Sequence, residues 1–183
     1  MEKHLGGHQG KTWADEGCLR FAVESFGIVN MIDIGCGPGG MKPLAQKYGV
    51  NWSGIDGDPS VLQEGVLTHD FTKGSIPNLP WFGLGWSVEF LEHVEEQYMD
   101  NYMQIFSQCD HVICTAAPPG WGGHHHVNEQ PQTYWIEKFR DYGLYYDPII
   151  TAAMRKKSTM RRKPKRNNQS FMEMTGMYLR NKQ

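Results

Sequence analysis

Residues 28–40 read Ile-Val-Asn-Met-Ile-Asp-Ile-Gly-Cys-Gly-Pro-Gly-Gly. An apolar, strand-forming run carries a single acid, Asp33, and then breaks into a turn holding Gly35, Gly37, Gly39 and Gly40. A strand that feeds a glycine turn opening a helix is the nucleotide-binding corner of an α/β sheet. The glycines are required there because the backbone turns sharply and a ligand must approach it without a Cβ in the way. Pro43 falls in the first turn of the following helix, where proline is tolerated.

Two cofactor chemistries compete for such a turn. Gly35, Gly37 and Gly40 fit the dinucleotide spacing G-x-G-x-x-G, but a pyrophosphate wants backbone N–H groups and a helix N-terminus, not a carboxylate two residues upstream. Asp33 therefore favours a cofactor with a cationic end and no phosphate.

Alternating periodicity extends this corner into a whole fold. Strands are predicted over residues 28–34, 50–55, 66–69, 84–90, 111–115, 144–146 and 171–179. Helices are predicted over 13–26, 40–48, 59–64, 92–109 and 132–142, the first opened by a capping box at Thr12 to Asp15. Such alternation predicts a mostly parallel, Rossmann-like α/β sheet with helices on both faces. The chain length of 183 residues suits one domain spanning 1–183, with residues 1–27 as an N-terminal helical extension. No run approaches the roughly 18 apolar residues of a membrane span. Cys18, Cys36, Cys109 and Cys114 show no C-x-x-C spacing and are expected to be reduced thiols of a cytoplasmic protein. Oligomeric state is not legible.

Charge is unevenly placed. Eight of the 18 Lys and Arg residues lie within 155–166, leaving 10 cations against all 20 acids elsewhere. This basic segment is expected to be a solvated loop; contact with phosphates or nucleic acid is the alternative.

Ligands of open α/β sheets bind beyond the C-terminal strand ends. Asp33, Asp56 and Asp70 close the first three predicted strands, so three carboxylates should line one crevice. Asp56 follows Gly39 by 17 residues, close to the ~20 expected of a ribose-binding acid. Each acid also has a plainer role open to it, capping a turn or helix.

With these pieces in place the chain resembles class I S-adenosylmethionine (SAM)-dependent methyltransferases, and is similar to small phage and bacterial members. The matching segments are Asp33-Ile-Gly-Cys-Gly-Pro-Gly-Gly40, Gly54-Ile-Asp-Gly-Asp58, His69-Asp-Phe71, Trp86-Ser-Val-Glu-Phe-Leu-Glu-His-Val94 and Gly123-His-His-His-Val-Asn128 followed by Tyr134-Trp-Ile136. The resemblance implies a seven-stranded sheet with the last strand antiparallel. It implies SAM as cofactor and S-adenosylhomocysteine as product. Gly35, Cys36, Gly37 and Gly39 would approach the methionine part, and Asp33 would orient its amino group. Asp56 and Gly57 would meet the ribose, Asp70 and Phe71 the adenine, and Ser87 and Glu89 would lie under the methionine end. Family members often carry an acid where this chain has Gly83.

Methyl transfer mainly needs alignment, with a general base where the nucleophile is a hydroxyl. Candidates are His93 and the triplet His124, His125 and His126. Three consecutive loop residues point in different directions, so joint ligation of one metal is not expected. The triplet can serve as base, as scaffold, or as one or two ligands with a nearby carboxylate; the adopted reading has no metal. Trp81, Trp86, Trp121, Trp135, Tyr145 and Tyr146 are candidates for a substrate wall, although Trp135 falls on a helical core stripe. The expected activity is methyl transfer to a small-molecule or sugar acceptor at oxygen. Alternatives are a nucleic-acid methyltransferase using residues 155–166 and a SAM-binding module without turnover.

Overall fold

The computed structural model describes residues 4–5, 7–163 and 167–182. Seven strands form one sheet: β1 (Asn30–Ile34), β2 (Asn51–Asp56), β3 (Val66–Thr68), β4 (Phe82–Ser87), β5 (Cys109–Cys114), β6 (Leu144–Tyr146) and β7 (Met177–Asn181). Their order is β3-β2-β1-β4-β5-β7-β6. Pairing is parallel from β3 to β5, while β7 runs antiparallel to both β5 and β6. The strand order reverses between β1 and β4, which opens a crevice at their C-terminal ends.

Strand alternation separates two cores. Ile32, Val112 and Leu179 pack with Tyr102, Phe106, Trp135 and Phe139 on one face. Met31, Ile113 and Tyr178 pack with Cys18, Leu19, Ala22, Met154 and Met172 on the other. The first face is covered by α3 (Met99–Phe106) and α4 (Gln132–Asp141). The second is covered by α1 (Glu16–Phe26), α2 (Lys42–Lys47), α5 (Pro148–Arg155) and α6 (Phe171–Thr175). With both faces buried, the central strands need the near-continuous apolar runs they have. All four cysteines are buried and unpaired.

Several expectations are corrected. The first helix starts at Glu16, not at residue 13, because Asp15 is its N-cap and accepts from Cys18 N–H at 3.0 Å. The N-terminal extension is thus helical only from Glu16, and the described residues before it lie across the crevice. Residues 59–64 form turns and irregular loop: Asp58 accepts from Ser60 N–H, and Leu62 is 90% exposed, so no apolar face rewards a helix. The predicted helix 92–109 is two single 3₁₀ turns, Leu91–His93 and Glu96–Tyr98, before α3.

Residues 171–179 are not one strand. Ser170 and Glu173 form a capping box that starts α6, and a Cβ at Gly176 would meet the Met172 carbonyl at 2.6 Å as the chain leaves for β7. The basic segment is not all loop either: Arg155 ends α5, whose start is set by the Asp147 cap and Pro148. Lys165 and Arg166 lie outside the described residues. Gly83 sits where β4 enters the sheet, its N–H donating to Asn30 Oδ1 at 2.7 Å.

Candidate functional site

The crevice holds a cavity of about 820 Å³ lined by the glycine turn, the strand-end acids, the histidine loop and the N-terminal segment. Its floor is set by backbone geometry. Gly35, Gly37 and Gly39 have φ of +71°, +51° and +75°, which L side chains rarely adopt. Gly35 and Cys36 N–H both donate to the Ile55 carbonyl, at 2.8 and 3.1 Å, locking the turn to β2. The Cys36 thiol sits over Gly54, where an added Cβ would be 2.8 Å from its sulfur; burial, with Asp33 and Asp56 beside it, pushes that thiol up.

Asp33 is 3% exposed, and among the described residues the Trp52 indole N–H reaches it at 3.3 Å. Burial pushes its carboxyl up to about 7; Trp52 opposes the rise and Asp56 adds to it. A buried carboxyl beside a glycine turn is a candidate partner for a cationic ligand group. Asp56 accepts from Gly37 N–H at 2.7 Å and from Asp58 N–H at 2.9 Å. It therefore braces the turn, and two of its lone-pair positions remain.

Asp70 caps the 3₁₀ turn Phe71–Lys73, accepting from Thr72 N–H and Oγ1, and its other oxygen is 3.0 Å from His4 Nε2. Burial opposes ionisation of Asp70, but Thr72 and His4 outweigh it and hold the carboxyl below its usual range. The plainer capping role is thus filled here. Phe71 lines the cavity edge-on to Phe90 and Tyr102. Gly57 is covered by Leu5, whose Cδ2 would be 2.5 Å from an added Cβ. Ser87 is fully buried and donates to the Ile34 carbonyl at 2.9 Å, so it ties β4 to β1 and does not face the cavity. Glu89 does line the cavity, with φ +54°, and accepts from Thr115 Oγ1 at 2.9 Å. A left-handed non-glycine residue at a site edge is held strain of the kind seen at ligand-contacting positions.

The histidines divide. His93, His124 and His126 line the cavity, whereas His125, at φ +51°, turns its ring toward His4. His126 Nδ1 is 2.7 Å from Glu129 Oε1, and its ring meets His93 edge-on at 4.8 Å. Burial, then His126, push His93 down to about 4, so its ring is neutral near pH 7. Behind them Glu92 is fully buried, and burial together with Glu89 raises its carboxyl well above the usual range.

Of the aromatic candidates, Trp86 and Trp121 line the cavity and Trp81, Trp135, Tyr145 and Tyr146 do not. Trp13 and Phe171 take their place, with Lys163 Nζ 3.7 Å from the Trp13 ring centroid. Arg161, Arg162 and Lys163 also line the cavity, so this part of the basic segment folds onto the site; Arg162 pairs with Glu173 at 2.6 Å.

The segment from His4 to Trp13 was not foreseen as part of the site. His8 Nε2 lies 3.1 Å from Asp58 Oδ2, and Thr12 Oγ1 accepts from Gly40 N–H at 3.0 Å. The capping box read at Thr12 to Asp15 points to a helix start and not to the cavity; the segment's role in the site comes from where α1 docks. Asp58, inside the quoted Gly54–Asp58 motif, had a signal but no partner to suggest it.

No protein-family model and no curated protein sequence matches the chain. Solved structures do. A TehB-like SAM-dependent methyltransferase from Corynebacterium glutamicum superposes with a TM-score of 0.61 at 14% identity, covering 91% of this chain and 88% of that one. Burkholderia thailandensis 1,6-didemethyltoxoflavin-N1-methyltransferase, solved with S-adenosylhomocysteine, gives 0.60 at 14% identity over 93% and 81%. The methyltransferase domain of bacterial CtHen1 gives 0.59 at 15% over 91% and 97%. The chain has the Rossmann-like fold of class I SAM-dependent methyltransferases.

Proposed function

We propose that the protein is a SAM-dependent methyltransferase that moves a methyl group to a small-molecule or sugar acceptor, at oxygen. One observation carries the reading. Asp33 is a buried carboxylate at the topological switch point, beneath a glycine turn, with only an indole N–H for a partner among the described residues. A cofactor bearing an ammonium supplies the missing cation; a pyrophosphate would worsen the electrostatics.

SAM, when bound, supplies a methyl already activated on a sulfonium. The chain's residues then bind and align. Asp33 takes the ammonium, and Gly35, Cys36, Gly37 and Gly39 let the backbone approach the amino-acid part. The free lone pairs of Asp56 suit vicinal ribose hydroxyls, beside Gly57. Phe71 packs against the adenine, with Asp70 at its edge. Glu89 lies at the methionine end, and Ser87 acts by holding β4 against β1. The histidine edge formed by His93, His124 and His126 faces the acceptor; His124 takes the proton of an acceptor hydroxyl, and His125 holds the loop. Trp121, Trp13 and Phe171 give the acceptor an aromatic wall.

A second reading has a specific observation behind it. Arg161, Arg162 and Lys163 reach the cavity, which suits an acceptor carrying phosphate, a nucleic acid included.

Calorimetry tests the first reading. S-adenosylhomocysteine should bind and NADH should not. Asp56→Ala should lose about 1.5–3 kcal/mol per charge-assisted hydrogen bond at most. Tight NADH binding without S-adenosylhomocysteine binding would refute it.

A further inference from the structure

One cluster at the cavity has more donor capacity than the protein uses. Glu92, His93 and His126 each offer one ligand-type atom, and these atoms all lie within 4.8 Å of one another. Glu92 is fully buried, yet among the described residues neither carboxylate oxygen makes a hydrogen bond of normal geometry. His93 Nδ1 is also buried with no hydrogen-bond partner among the described residues. Unmatched buried polar atoms are rare, and several converging on one point ask for a ligand.

His126 is held differently. Its Nδ1 is committed to Glu129 Oε1 at 2.7 Å, and Glu129 is itself fixed by Gly122 N–H at 2.6 Å and Gly120 N–H at 2.8 Å. A carboxylate on one imidazole nitrogen fixes the tautomer and aims the other nitrogen, the usual outer-sphere support of a ligating histidine.

We propose that Glu92, His93 and His126 bind one divalent transition-metal ion at the acceptor side of the cavity. Two imidazoles and one carboxylate suit Mn²⁺, Co²⁺ or Zn²⁺ better than the oxygen-only preferences of Ca²⁺ or Mg²⁺. Ligand atoms around one such ion, at about 2.0–2.2 Å from it, stand roughly 3 Å apart. The cluster must therefore contract by on the order of 1–2 Å. The loop carrying His126 can supply that movement, having glycines at 120, 122 and 123 and a left-handed His125. The triplet does not ligate as a unit; one member joins two groups from the 3₁₀ turn Leu91–His93 after β4, which consecutive spacing alone does not reveal.

His93 and His126 line the cavity, so the ion's remaining positions open toward the acceptor. The role of the ion rests on the methyl-transfer reading. An acceptor hydroxyl ligated there gives its proton to His124 or water, and the oxyanion takes the methyl as the carbon–sulfur bond breaks.

The test is titration of the metal-stripped full chain with Mn²⁺ alone, followed by electron paramagnetic resonance, with S-adenosylhomocysteine calorimetry beside it. One Mn²⁺ should bind per chain. His126→Ala, on a loop and expected to fold, should weaken it at least tenfold, as should Glu92→Gln; thermal melting checks each fold. If Glu92→Gln does not fold, His126→Ala and Glu129→Gln decide. No stoichiometric binding by the wild type, or unchanged affinity in folded His126→Ala, overturns the site. S-adenosylhomocysteine binding without Mn²⁺ binding overturns the site and leaves the proposed function standing. Mn²⁺ binding without S-adenosylhomocysteine binding upholds the site and overturns the proposed function.

Discussion

At the scale of single residues, Asp33 governs the most direct predictions. Its folded carboxyl is raised to about 7 by burial, so the fold favours the protonated form. The stabilisation from that proton is complete below about pH 4, the unfolded value, and is lost as pH rises through about 7. A cationic cofactor favours the opposite form, so binding releases a proton. S-adenosylhomocysteine affinity should therefore rise about tenfold between pH 6 and pH 8, measured by calorimetry in buffers of different ionisation enthalpy. Asp33→Asn should flatten that profile and weaken binding, while the apo protein melts no lower at pH 8 than the wild type. A profile unchanged by the substitution would remove Asp33 from the cofactor site. The acid was legible because it interrupts an apolar run just before a glycine turn. The second roles of Asp56 and Asp70, as braces for Gly37 and Thr72, were less so, because a carboxylate's partners are fixed in three dimensions.

Among elements, those with paired local signals were readable. Asp15 caps α1 and also accepts from Thr159 N–H at 2.9 Å. Asp15→Ala should cost about 1 kcal/mol for the cap and roughly 1–3 more for the stranded partners, seen as a shift of the denaturant midpoint. Ser170→Ala should cost about 1 kcal/mol by losing the α6 capping box. An unshifted midpoint in either case would mean that the cap contributes nothing to stability. The α6–β7 segment was misread because Phe171 to Leu179 is apolar enough for a strand, and the Ser170–Glu173 box outweighs that propensity. The N-terminal segment carries no periodic pattern. It is positioned by His4 on Asp70, His8 on Asp58 and Thr12 on Gly40. Burial opposes ionisation of Asp58, but Ser60 and His8 outweigh it and keep the carboxyl low. Replacing His4 and His8 together by alanine should speed S-adenosylhomocysteine dissociation several-fold in stopped-flow measurements, with the melting temperature little changed. Dissociation at the wild-type rate would show that the segment does not gate the crevice.

For the molecule as a whole, the sheet was predictable from strand–helix alternation, because both faces had to be buried. The uneven charge was equally plain, but not its destination. Arg161, Arg162 and Lys163 turn back to the cavity instead of lying in solvent alone. Replacing all three by alanine should weaken an anionic acceptor and flatten its salt dependence by up to ~0.9 per lost phosphate contact on duplex DNA. Unchanged acceptor binding would return the segment to a solvated role. Among the described residues no helix is long and apolar enough to cross a membrane. The placement of His4 and Leu5 over Asp70 and Gly57 also has a practical side. If the crevice is gated by that segment, an affinity tag joined ahead of it would load the gate itself. Turnover and cofactor exchange measured on an N-terminally tagged protein would then report partly on the tag, and a tag placed beyond β7 is the sounder choice for kinetics.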